Sequence, residues 1–214
     1  MKKLLLVLLS FVSLNVFAQI PKDIEAVKKT FLNFRTAVLN KDGAFGAKQV
    51  DENTVKYYQH VLDWTVYADT SVLDTLNVFD RMTVLNLRHR VSKESLLQLK
   101  DGTALIKLTI DSGFFAENSV KNFEIGNVDL KYKEGTAVGQ AKVDGQDVGM
   151  IFKFIREKKA WKLRLAEALA MAKKGMEVDL KRSGKNENEY IWTYLILETG
   201  RNVSPEIIDP LKKR

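Results

Sequence analysis

No cysteine occurs anywhere in the chain, so disulfides, thiol nucleophiles and thiolate metal sites are all excluded, and no thiol is present to accept a lipid. Histidine is almost as scarce, with His60 and His89 as the two copies. Neither belongs to an HExxH motif or to a His/Cys cluster, and no acidic loop has the spacing of a calcium-binding hand, so metal chemistry has no sequence support. The acidic "DENT" stretch at Asp51 has the character of a helix start. A GxSxG nucleophile elbow and a glycine-rich phosphate loop are also missing. The sequon Asn202-Val203-Ser204 is followed by Pro205, which makes it a poor acceptor.

The first organised feature is an export signal in three parts. Lys2 and Lys3 form a positive start. An apolar run from Leu4 to Val16 follows, broken by Ser10, Ser13 and Asn15, and Ala18 then stands as a small residue before Gln19. The run has roughly 13 apolar-core positions where a membrane span needs about 20, which favours a cleaved signal peptide over an anchor. Residues 1–18 are thus read as signal peptide, and the remaining chain as exported, soluble, and periplasmic or secreted. Losing Lys2 and Lys3 lowers the formal charge from +7 to +5. The remaining lysines cluster at Lys153 to Lys162 and from Lys173 to Lys185, as a solvated face would, or one turned to an acidic partner or anionic lipid. Export and the lack of any basic-aromatic signature argue against nucleic acid.

Hydrophobic spacing supplies the architecture. Ile24, Val27, Phe31, Phe34 and Val38 recur at helical steps between Asp23 and Asn40, with Lys41-Asp42-Gly43 as the stop. A second helix, capped by Asp51 or Asn53, carries Val55, Tyr58, Leu62 and Thr65 on one side, and a third pattern spans Val72 to His89. Ser92 caps a short fourth helix. Thr103 to Ile110 fits a strand by alternation and a helix by length, and helix is the preferred reading. After Gly113 turn signals arrive at short intervals, and runs near Val120–Tyr132, Thr136–Val143, Val148–Arg156 and Trp161–Leu165 predict an antiparallel meander. The third run is apolar on both faces and is expected to be covered on both. The whole is an α+β plan.

The order of these elements, the Lys41-Asp42-Gly43 break, the Tyr57-Tyr58 pair and the closing "FKFIREKKAWKLRL" from Phe152 to Leu165 resemble the nuclear transport factor 2-like (SnoaL-like) superfamily over roughly Asp23 to Leu165. The resemblance implies helices packed into the concave face of a bent sheet around a cone-shaped pocket. Residues 19–165 would form that domain and 166–214 a helical extension. It also implies that an enzymatic member would hold a carboxylate or a His/Asp pair in the pocket as general base, and His60 with Asp63, three residues apart on a helix, is the candidate pair. Arg88 and Arg90 flank His89 and would depress its pKa, although a basic helix end has the same appearance.

Two functional classes follow. The first is a non-catalytic domain holding a small apolar ligand, with Tyr58, Trp64, Arg88, Phe115, Phe152 and Phe154 as the ligand-binding set; these same aromatics would also serve as plain core. The second is a small-molecule isomerase, dehydratase or hydrolase using His60 and Asp63, with Tyr58 or Arg88 as electrostatic partner. No cofactor is expected in either. The block from Tyr190 to Leu197 is too short to span a membrane and must be covered, either by the domain itself, by a second copy in a homodimer, or by an envelope protein. Mass spectrometry of the protein recovered from a bacterial envelope fraction should find Gln19 as its first residue; an intact Met1 would sink the signal-peptide reading.

Overall fold

The computed structural model describes residues 2–114 and 120–213, and for 2–19 the backbone alone. Helices α1 (Lys2–Leu39), α2 (Gly43–Gly46), α3 (Glu52–Tyr67), α4 (Thr70–Leu73), α5 (Val78–Arg90), α6 (Lys93–Leu97) and α7 (Gly102–Asp111) precede strands β1 (Phe123–Lys131), β2 (Thr136–Val143), β3 (Gln146–Glu157) and β4 (Ala160–Leu163). Helices α8 (Leu165–Ser183) and α9 (Glu187–Thr199) and a 3-10 turn at Pro205–Ile208 close the chain. This is a mixed α+β protein with a four-stranded antiparallel sheet of order β1-β2-β3-β4.

The chain divides into two compact units, Met1–Asp51 with Ile110–Leu165, and Glu52–Thr109 with Ala166–Arg214. The residues after 165, expected as an extension, thus join the helices of the middle segment, because α9 buries Ile191 and Leu195 in one cluster with Leu73, Val78, Met82 and Leu85. The apolar block at 190–197 is only half covered this way. Leu197 stays 80% exposed, and Tyr194 and Ile196 are exposed beside it.

In the first unit, α1 buries Val27, Phe31, Phe34 and Val38, the stripe the sequence spacing predicts. The helix begins well before the expected start at Asp23 and runs through Pro21. The leucine-rich residues before Pro21 favour helix, while Pro21 has no N–H to give, so that turn is one hydrogen bond short. Facing the buried stripe is the inner side of the meander. There β2 presents the small residues Ala137, Gly139 and Ala141, all buried, and Ala137 pairs with Phe154, which pairs in turn with Leu163. A Cβ on Gly139 would stand 2.6 Å from Ile125 and 3.2 Å from the Phe154 ring, so only glycine admits both neighbours at their present distance. Val50 bridges Leu163 in parallel, with Leu163 N–H donating to Gln49 O at 2.8 Å and Asp51 N–H to Leu163 O at 3.0 Å. That covers the β4 edge.

Strand β3 departs from the expectation of burial on both faces. Phe154 is fully buried, but on the opposite face Ile151 is exposed and Ile155 half-buried, so the outer face is wet. Apolar residues in alternation cannot report whether a second layer exists to cover them. The turn from β3 to β4 places both Lys158 and Lys159 at positive φ, 47° and 74°, a pairing usually met by Asn-Gly.

The second unit is helical. The pattern read as one helix from Val72 to His89 is split into α4 and α5, because the Asn77 side chain accepts from the Asp80 N–H and caps a new helix. Thr103–Ile110 lies within helix α7, resolving the helix or strand ambiguity. Arg88 ties the unit together: its Nε donates to Thr65 O at 2.9 Å, Nη1 to Ile207 O at 3.0 Å, and Nη2 to Trp64 O and Ala68 O at 3.0 and 2.6 Å. Trp64 and Thr65 lie in the last turn of α3 and Ala68 just past its end, where helix carbonyls run out of N–H donors, although Trp64 O also accepts from the Ala68 N–H at 2.9 Å.

Contrasting substitutions on β3 test the one-sided burial. Phe154→Ala should cost about 3–5 kcal/mol in urea unfolding, whereas Ile151→Thr should stay within about 0.5 kcal/mol; equal losses would mean that both faces are packed.

Candidate functional site

An apolar concavity of the first unit lies along α1 and β1. Its volume is about 730 Å³, within the roughly 300–1,000 Å³ of small-molecule sites. Phe31, Leu32, Phe123 and Ile125 supply the apolar walls. Phe31 and Ile125 are core residues showing one edge to the groove. Leu32 stands off the buried stripe of α1 and is 47% exposed. Beneath them Phe152 sits 4.7 Å from the Phe31 ring and 6.1 Å, edge on, from Phe123. Arg35 Nη1 donates to Phe123 O at 2.6 Å and pins the start of β1 to the helix. Lys28, Lys29, Glu25 and Glu124 stand at the rim.

A second groove, of about 580 Å³, lies where α1 meets the β3-β4 turn. Its floor is ordered around Asp23, a buried carboxylate that accepts from Trp161 Nε1 at 3.2 Å and lies 3.6 Å from Arg156 Nη1. The Thr30 hydroxyl reaches the carbonyls of Ala26 and Trp161 at 2.9 and 3.2 Å.

The residues expected to bind ligand are scattered by the fold. Phe152 lies under the apolar groove, and Phe154 is core. Tyr58 is buried in the second unit, where its hydroxyl meets Thr109 and burial pushes its phenol pKa well up. Trp64 is half-buried against the α5-α9 cluster. Arg88 spends four N–H groups on carbonyls, and burial lowers its pKa to about 10, the Asp209 charge working the other way. Phe115 lies outside the described residues.

His60 is exposed and stacks on Trp64 at 6.1 Å, while Asp63 accepts from Gln59 Nε2 at 3.0 Å. Neither ring nitrogen of His60 is hydrogen-bonded to Asp63. His89 Nε2 lies 3.0 Å from Thr199 Oγ1, and its pKa is lowered by burial first, then by Arg201 and Arg90. Among the described residues no three His, Asp or Glu side chains are placed to hold a metal.

One polar constellation was not anticipated. Asp80, buried at the start of α5, accepts from the Tyr57 hydroxyl at 2.6 Å, from Asn77 Nδ2 at 2.5 Å and from Lys173 Nζ at 2.7 Å, and that ammonium lies 4.7 Å above the Tyr57 ring. All its members belong to the second unit. Burial, then the hydrogen bond to Asp80, holds the Tyr57 phenol protonated far above its ordinary range. With the carboxylate satisfied three times and the ammonium neutralised, the cluster staples α3, α5 and α8 rather than presenting a reactive group.

The fold therefore defines an α+β protein whose meander unit carries two adjoining grooves on α1. Comparison with protein-family models, with curated proteins and with solved structures finds no match to this chain. Among the described residues no helix is long and apolar enough to cross a membrane.

Tyr57 and Tyr58 keep their protons in the folded state while an unfolded tyrosine releases its proton near 10, and Tyr190, pushed up to about 12 by burial and then by Asp179, behaves likewise. A raised folded pKa contributes stability that is complete below the unfolded value and lost above it. The urea midpoint should accordingly hold below pH 10 and fall between pH 10 and 12, with a shallower fall in Tyr57→Phe; an unchanged slope in that variant would count against the buried phenol.

Proposed function

We propose that this chain is an exported, non-catalytic binding protein of the NTF2-like kind, and that it takes a small apolar ligand in the groove along α1. The observation that carries the proposal is the groove itself, with Leu32 exposed at its wall and the Phe31-Phe123-Phe152 aromatics under it. An exposed apolar side chain on the wall of a concavity with core aromatics behind it is what a ligand of low polarity would cover. The first lining residue is Lys22, so cleavage after Ala18 leaves the groove whole. The enzyme reading has weaker support, because His60 is solvent-facing and Asp63 is engaged by Gln59. Tyr194, Ile196 and Leu197, exposed on α9, give a face on which an envelope protein or a second copy would dock.

The test is binding of the neutral fluorophore N-phenyl-1-naphthylamine to the purified protein. Leu32→Glu should weaken binding at least about tenfold, since it sets a charge against an apolar ligand, while Tm moves by less than about 2 °C because the side chain is exposed. Unaltered binding in that variant would remove the ligand from this groove.

A further inference from the structure

Lysines dominate the second groove. Lys22, Lys29, Lys48, Arg156, Lys159 and Lys162 line it against one carboxylate, Asp23. That carboxylate is already committed to Trp161 and Arg156, so the excess of positive charge faces the groove. Two features hold the cations there. Lys162 Nζ donates to the backbone carbonyl of Lys48, which fixes one side. On the other, the β3-β4 turn keeps Lys158 and Lys159 at positive φ, a conformation that costs an ordinary residue about 1 kcal/mol or more and that delivers Lys159 to the rim.

The two grooves adjoin across one ridge of α1. Lys22, Ala26, Lys29 and Asn33 line both of them, and at spacings of four, three and four they form one row along α1. Within that row Ala26 is the low point, a methyl group between two long lysine side chains, so a thin molecule can pass over the helix there from one groove to the other. On the apolar side Glu25 and Glu124 repel a negative group, and on the basic side nothing but Asp23 does.

From this geometry we infer that the ligand is a single-chain amphiphile with an anionic head: its hydrocarbon chain lies in the α1-β1 groove and its carboxylate or phosphate head among Lys48, Lys159 and Lys29. The inference rests on the apolar-groove reading and adds the head group to it. A fatty acid and a lysophospholipid share this chemistry, and binding separates them.

The experiment displaces the naphthylamine probe with palmitate, with lysophosphatidylglycerol and with monopalmitin, a neutral molecule of the same chain length. Lys48→Glu/Lys159→Glu changes two exposed side chains that line the basic groove and not the apolar one. It should weaken palmitate, lysophosphatidylglycerol or both at least about tenfold at low salt, and the loss should shrink as salt is raised. Monopalmitin should stay within about twofold. Shortening the fatty acid should weaken binding by up to about fourfold per methylene. Displacement by palmitate alone assigns the head to a carboxylate, and by lysophosphatidylglycerol alone to a phosphate. Equal affinity of the double variant and the parent for both anionic ligands overturns the inference while leaving the apolar groove intact. No displacement by any of the three, together with unchanged probe binding in Leu32→Glu, fails the underlying reading as well. Binding to phosphatidylglycerol vesicles with no binding of monomeric amphiphile also overturns it, since the lysines would then meet a membrane surface.

Discussion

Everything proposed about this protein depends on one packing contact, the burial of Val27, Phe31, Phe34 and Val38 of α1 against the inner face of the meander. Four large side chains held at low exposure fix the helix in place and in rotation. The rotation matters most. With that stripe turned inward, Leu32 and Lys29 must point outward, and Lys22, Ala26 and Asn33 must form the ridge between two grooves. A helix turned one residue forward would set Lys28, Leu32, Arg35 and Leu39 against the sheet and dismantle both.

The sheet accommodates this helix by being small where the helix is large. Ala137, Gly139 and Ala141 make β2 a trough, into which Phe154 and Ile125 lean from the neighbouring strands. Aromatic volume is displaced towards Phe123, which lines the apolar groove, and Phe152, which packs against Phe31 and Phe123. The second unit is organised differently, around satisfied polar groups. Arg88 closes the end of α3, and Asp80 joins Tyr57, Asn77 and Lys173. Buried polar groups with every partner in place specify a unique arrangement, and their removal leaves an unpaired buried charge or dipole. They draw tyrosine and arginine chemistry into the framework, away from any ligand.

Much of the first unit was legible from spacing. The α1 stripe, the four strand runs and the turns between them follow from periodicity and turn chemistry that act over a few residues. The lysines at 158–162 were visible as a charge run, but a run of charge has no shape until a turn curls it against a helix, and Leu32, an apolar side chain off the stripe, was not singled out. Phe123 and Ile125 gave no signal of a site, since they read as ordinary strand residues.

The sequence by itself determined most of the elements, their order and the α+β class, because helix and strand periods and caps are local properties written in residue spacing. It could not determine that Arg88 is a structural clamp, that Tyr58 and Phe154 are core, or that His60 and Asp63 face different partners, since each of those depends on which distant backbone arrives beside the side chain. Only tertiary structure laid a lysine-rich turn against the same helix that borders the apolar groove, and the pairing of those two surfaces exists nowhere in the linear order.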